Sequence, residues 1–98
     1  MHSIAWRYRV APGCRAAFEA LYGPDGDWAR LFRRSGDYLG TTLYRDTADA
    51  DAYLTIDRWR SRAAYDAFLH DERADYAALD ARGDALTVEE ARLGVIGD

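Results

Sequence analysis

Apolar and polar residues alternate from Ser3 to Val10, with Ile4, Trp6, Tyr8 and Val10 on one side and Ala5, Arg7 and Arg9 on the other. A period of two in β-favouring residues predicts a half-buried strand. The period then changes. Cys14, Ala17, Phe18 and Leu21 recur at helical spacing, with Pro12 in the first turn where a helix tolerates it, and Gly23-Pro24 stops the run. After the loop Asp25-Gly26-Asp27 comes a short amphipathic turn carrying Trp28, Leu31 and Phe32, with Gly36 as its terminator.

Two strands are expected next, Tyr38 to Arg45 and Ala52 to Arg60, joined by the polar hairpin loop Asp46 to Asp51. Ser61 can N-cap a long helix bearing Tyr65, Phe68, Leu69, Tyr76 and Leu79. Asp71 offers a cap for a second segment of that helix, Gly83 ends it, and a last strand covers Leu86 to Val95. The order strand, helix, strand, strand, helix, strand is the split βαβ of a ferredoxin-like βαββαβ domain. It is an α+β fold, expected to span 1–98 as one domain with a four-stranded antiparallel sheet and its helices on one face.

The uncovered sheet face bears on assembly. Simple alternation puts Tyr38 and Tyr44 on one side of the second strand and Leu39 and Leu43 on the other. In the third strand it separates Tyr53 and Trp59 from Leu54 and Ile56. Both faces are therefore apolar, and an apolar face left open invites a partner. Two sheets packing about a two-fold axis would bury it, so a homodimer, a dimeric α+β barrel, is expected.

Composition narrows the partners. The net charge is −4, and all thirteen cations are Arg, with no Lys, Asn or Gln in the 98 residues. An acidic chain lacks the basic surface that nucleic-acid binding requires. Schiff-base chemistry and side-chain amide oxyanion donors are excluded with Lys, Asn and Gln. No apolar run reaches membrane-span length and the N-terminus lacks a signal-peptide pattern, so no membrane partner and a cytoplasmic location are expected. Cys14, without a second cysteine, fits a reducing compartment and reads as a buried thiol on the first helix. Heavy Ala, Arg and Asp use suggests a bacterial, GC-rich source.

No metal-ligand spacing links His2 and His70, and no glycine-rich phosphate loop follows a strand. What remains is a concentration of aromatics, Trp6, Tyr8, Trp59, Tyr65 and Phe68, with Asp57, Arg58 and His70 nearby in sequence. Such a set can line a pocket for a flat apolar ligand, or it can be core. Asp57, in mid-strand, needs an arginine partner if it faces inward and is otherwise solvated. His70 reads as a helix-end histidine or as a proton carrier.

The run Trp59-Arg60-Ser61-Arg62-Ala63-Ala64-Tyr65 resembles the W-x-S-x-x-A-[YF] junction of the antibiotic-biosynthesis-monooxygenase-like family. Tyr38-Leu39-Gly40-Thr41 is similar to that family's G-[YF]-x-[GS] stretch, with Asp37 in place of Gly, and Pro12-Gly13 also matches. The resemblance implies a dimeric α+β barrel and, in one branch, a cofactor-independent monooxygenase. There a phenolic or quinol-like substrate anion reduces O2 directly. It implies catalytic roles for Trp59 and Tyr65 and a cavity lined by Trp6, Tyr8, Thr55, Asp57, Phe68 and His70, with no cofactor. Thr55 stands where that branch has Asn, and Leu79 near its supporting Arg, with Arg73 and Arg82 as neighbours. The haem-degrading branch fits less well. Its Asn, Trp and His positions fall on Trp6, Phe68 and Ala77 or Ala78, which leaves no axial ligand. The other reading is a non-catalytic dimeric barrel that binds a small apolar ligand or serves as an interaction module.

Overall fold

The computed structural model describes residues 1–97. Strand β1 (His2–Val10) runs into helix α1 (Arg15–Tyr22) and the short α2 (Asp27–Phe32). The hairpin β2 (Tyr38–Arg45) and β3 (Ala52–Trp59) is followed by α3 (Arg62–Asp71), α4 (Arg73–Asp84) and β4 (Thr87–Ile96). The antiparallel sheet has the order β2-β3-β1-β4, so the first and third strands are central, as in ferredoxin-like folds. No helix among the described residues is long and apolar enough to cross a membrane.

The helices cover one face of the sheet, and the core lies between. Ile4, Tyr8 and Val10 of β1 and Tyr53 and Trp59 of β3 are buried against Phe18, Leu21 and Tyr22 of α1, Trp28, Leu31 and Phe32 of α2, and Phe68 and Leu79 of α3 and α4. Aromatic rings meet in series: Tyr8 with Tyr22, Phe18 with Tyr22, Tyr22 with Trp28, Trp28 with Phe32, and Phe32 with Trp59. In a domain this small such rings supply much of the burial that offsets chain entropy.

Several local expectations are corrected. Pro12 lies in the turn ahead of α1, whose first residue is Arg15, and Cys14 is half-buried. Gly36 sits in the turn beyond α2, whose last turn passes through Arg33. Ser61 does cap α3, accepting from the Ala64 N–H at 3.1 Å. The break between α3 and α4 comes at Glu72, and no side chain caps α4. Gly83 lies within α4 and does not end it, because the Tyr22 hydroxyl packs where a Cβ would stand.

The largest correction concerns β2. Tyr38 pairs with Trp59 and Gly40 with Arg58, so Leu39 is an extra residue in a bulge, and Gly40 takes φ +129°. Strict alternation is thereby reset. Thr41 and Leu43 pair with Asp57 and Thr55 on the helix-covered face, whereas Thr42 and Tyr44 pair with Ile56 and Leu54 on the open face. Tyr38 and Tyr44 therefore point to opposite sides.

Candidate functional site

A cleft opens between the sheet and the helices. Its floor is Trp6 and Tyr8 of β1, Thr55 and Asp57 of β3, Thr41 of β2 and Glu90 of β4. Its walls are Tyr22, Trp28 and Phe32 from α1 and α2, and Tyr76 and Asp80 from α4. The cleft measures about 390 Å³ including its open mouth, but the void within it is only about 30 Å³. A void of that size holds roughly two waters, so a ring-sized ligand must displace wall side chains as it enters.

Asp57 is the ionisable group at the cleft floor. Although the cleft leaves the residue partly accessible, protein atoms surround its carboxylate, and burial raises its pKa to about 6. The Thr41 hydroxyl, donating at 2.7 Å, and the charge of Arg58 pull the other way without offsetting burial. Tyr38 Oη lies 2.6 Å from Thr41 Oγ1, so a chain of hydroxyls runs from Tyr38 through Thr41 to Asp57. No salt bridge holds Asp57 among the described residues, and Arg58 donates instead to Thr42 on the open face at 2.9 Å. A carboxylate with its pKa near neutrality, facing a cavity, is suited to accept a proton.

Two polar atoms in the lining have no partner. Thr55 Oγ1 and Trp28 Nε1 are buried without a hydrogen bond of normal geometry, although Thr55 lies close enough to Tyr8, and Trp28 to Tyr22, to lower those hydroxyl pKa values against the larger effect of burial. Burial dominates at Tyr8 and Tyr22, holding both phenols neutral, and it also raises the Tyr76 pKa. At one side Asp80, Asp84 and Glu90 bring carboxylate oxygens within 4.8 Å of one another. Burial, then repulsion within this trio, raises the pKa values of Asp80 and Glu90.

Of the residues singled out from sequence, Trp6, Tyr8, Thr55 and Asp57 come together here. Trp59, Tyr65, Phe68 and His70 are not among the lining side chains. Trp59 is fully buried behind Phe32, whose ring meets it edge-on at 5.4 Å and meets Phe68 at 5.4 Å. Tyr65 packs on Trp59 at 5.4 Å, and burial raises its pKa. His70 is exposed in the last turn of α3. Arg82 pairs with Asp27 at 2.9 Å and Arg73 is exposed, so neither stands in for the supporting arginine. Sequence reasoning missed Tyr22, Trp28, Phe32, Thr41, Tyr76, Asp80 and Glu90 as cleft residues. The apolar spacing of Trp28 and Phe32 is the available signal for α2; it predicts an amphipathic turn but not the surface on which that turn docks.

The architecture is that of a ferredoxin-like α+β domain with an aromatic cleft between helices and sheet, and any function lies in that site and not in the fold itself. The chain belongs to the antibiotic biosynthesis monooxygenase family, which its sequence matches over residues 1–78. Solved structures share the fold. SnoaB, a cofactor-independent oxygenase from Streptomyces nogalater, superposes as its asparagine-to-alanine mutant with a TM-score of 0.82 at 20% identity, over 99% of this chain and 91% of that one. Rv0793 from Mycobacterium tuberculosis gives 0.72 at 20% identity, over 99% and 93%. PA3566 from Pseudomonas aeruginosa gives 0.61 at 20% identity, over 98% and 94%. No curated protein matches the chain.

Proposed function

We propose that this protein is a cofactor-independent monooxygenase acting on a small aromatic, quinol-like molecule, with Asp57 as the proton acceptor. The observation that carries the reading is the Asp57 carboxylate in an aromatic-walled cleft, its pKa at about 6 and its only side-chain hydrogen bond among the described residues coming from Thr41. Family membership supports the reaction class.

Asp57 removes a proton from an activated ring carbon, and the resulting carbanion passes one electron to O2. The radical pair recombines to a carbon-bound peroxide anion, which takes back the proton held by Asp57, and loss of water from the resulting hydroperoxide leaves a carbonyl. A CH2 centre becomes C=O while one oxygen atom leaves as water, so the substrate supplies all four electrons. Trp6 and Trp28 flank the ring, and the free Thr55 hydroxyl and Trp28 indole N–H meet substrate oxygens. Trp59 and Tyr65 act as positioning residues, since their rings back Phe32 and Trp59 respectively. The working unit is a homodimer whose sheets meet through the uncovered faces bearing Tyr44, Leu54 and Ile56.

Oxygen uptake with an anthrone and naphthoquinol panel tests the reading. Asp57→Asn should reduce kcat by about 10²-fold or more. Trp59→Phe and Tyr65→Phe should have smaller effects. Absence of uptake across the panel, or uptake indifferent to Asp57→Asn, overturns the assignment. The 30 Å³ void favours a second reading, in which the cleft binds a small apolar ligand without turnover; saturable binding without oxygen uptake would select it.

A further inference from the structure

The cleft carries charge of one sign. Asp57 and Glu90 lie on its floor and Asp80 stands in its wall, with Asp84 completing a trio with Asp80 and Glu90 whose oxygens lie within 4.8 Å of one another. Among the described residues no Arg or His lines it. Of the nearby arginines, Arg82 is engaged with Asp27 and Arg58 with Thr42, whereas Arg92, opposite Trp6 in the sheet, is exposed and acts on Tyr65 from outside the lining. Carboxylates gathered at a partly dry site without a counter-cation repel one another, a cost that a bound cation removes.

The rest of the lining says which kind of cation. A metal ion would use the carboxylate oxygens and leave the rings idle. Trp28, Tyr76 and Tyr22 instead contribute aromatic rings to the lining of the same cleft, and carboxylates combined with aromatic rings recognise organic ammonium groups. The cleft also holds buried polar atoms without partners, Trp28 Nε1 and Thr55 Oγ1, so a ligand with polar atoms on its ring would complete it.

We propose that the ligand of this cleft is an aromatic molecule bearing a basic amine, its ammonium seated against Asp80, Asp84 and Glu90 and its ring oxygens directed to Thr55 and Trp28. This deepens the monooxygenase reading and rests on it for the identity of the site. The ammonium supplies the positive charge that an anionic intermediate needs and that the lining lacks.

The test is calorimetric titration under nitrogen with three naphthalene-1,4-diols that differ only in one side chain: ethyl, dimethylaminoethyl or carboxyethyl. The amine probe should bind the wild type about tenfold tighter than the ethyl probe, and the carboxylate probe should bind weakest. The double variant Asp80→Asn/Glu90→Gln removes repulsion and should fold; it should abolish the preference for the amine probe over the ethyl probe. Equal affinity for the amine and ethyl probes, or tightest binding of the carboxylate probe, overturns the proposal. Displacement of the amine probe by Mg²⁺, Ca²⁺ or Zn²⁺ at equimolar concentration also overturns it, in favour of a metal site. Oxygen uptake is measured separately with the same diols. Uptake without amine preference defeats this proposal alone, and amine preference without uptake defeats the oxygenase reading alone.

Discussion

Asp57 is costly to keep charged, and its charged form is the one the proposed reaction needs. Its folded-state pKa of about 6 lies above that of an ordinary carboxyl, so the folded state holds the proton more tightly than the unfolded chain does. The stability contributed by that proton is complete below about pH 4 and is lost as pH rises to about 6, on the order of 2 kcal/mol. Asp57→Asn can still accept from Thr41 and carries no charge. It should therefore be more stable than wild type at pH 7.5 by a similar amount, with the gap closing toward pH 4, as thermal melts across that range will show. Activity should run the opposite way, with kcat/KM rising through about pH 6 in the wild type and lost in the variant. The sequence made Asp57 visible as a carboxylate inside a strand, with arginine as its expected partner. Its partner is Thr41, because the residue opposite Asp57 depends on a bulge that simple alternation does not reveal.

At the scale of elements, the hairpin, the β1 strand and the Ser61 cap were legible because each rests on local chemistry: alternation, turn residues and a hydroxyl three residues ahead of an amide. Ser61→Ala should lower stability by about 1 kcal/mol in denaturant titration, with the m-value unchanged. The α3–α4 break was anticipated but placed one residue early. Glu72, the residue at the break, turns its carboxylate to Arg34 at 2.7 Å, a long-range contact invisible to local reading. Gly83 was misread for a similar reason. A glycine near a helix end suggests a terminator, yet here it admits the Tyr22 hydroxyl, and an added Cβ would stand 2.1 Å from it. Gly83→Ala should destabilise by about 1–3 kcal/mol despite the better helix propensity of alanine. Tyr22→Phe should recover part of that loss, which a double-mutant cycle will measure.

For the whole molecule, the element order was enough to give the α+β class and the sheet, since split βαβ connectivity leaves few topologies open. The cleft was half legible. Residues on the central strands were found, and those contributed by α2 and α4 were not, because helix docking is decided by tertiary packing rather than by local pattern. Assembly belongs to this scale as well. Ile56→Glu places a charge on the uncovered face, away from the core, and should convert the proposed dimer to a monomer at micromolar concentration by light scattering while helix content is retained. A wild type that is monomeric under the same conditions would remove the sheet-to-sheet arrangement.

The bulge at Leu39 gives β2 two reading frames. Before it, even-numbered Tyr38 faces the core; after it, odd-numbered Thr41 and Leu43 do. The hydroxyl that meets Asp57 is thus selected by a count of residues and not by the identity of either neighbouring threonine. Changes in length within Tyr38–Gly40 are consequently the lesions most able to exchange Thr41 for Thr42 at the cleft, and relatives differing there by one residue would present a different floor to the same substrate.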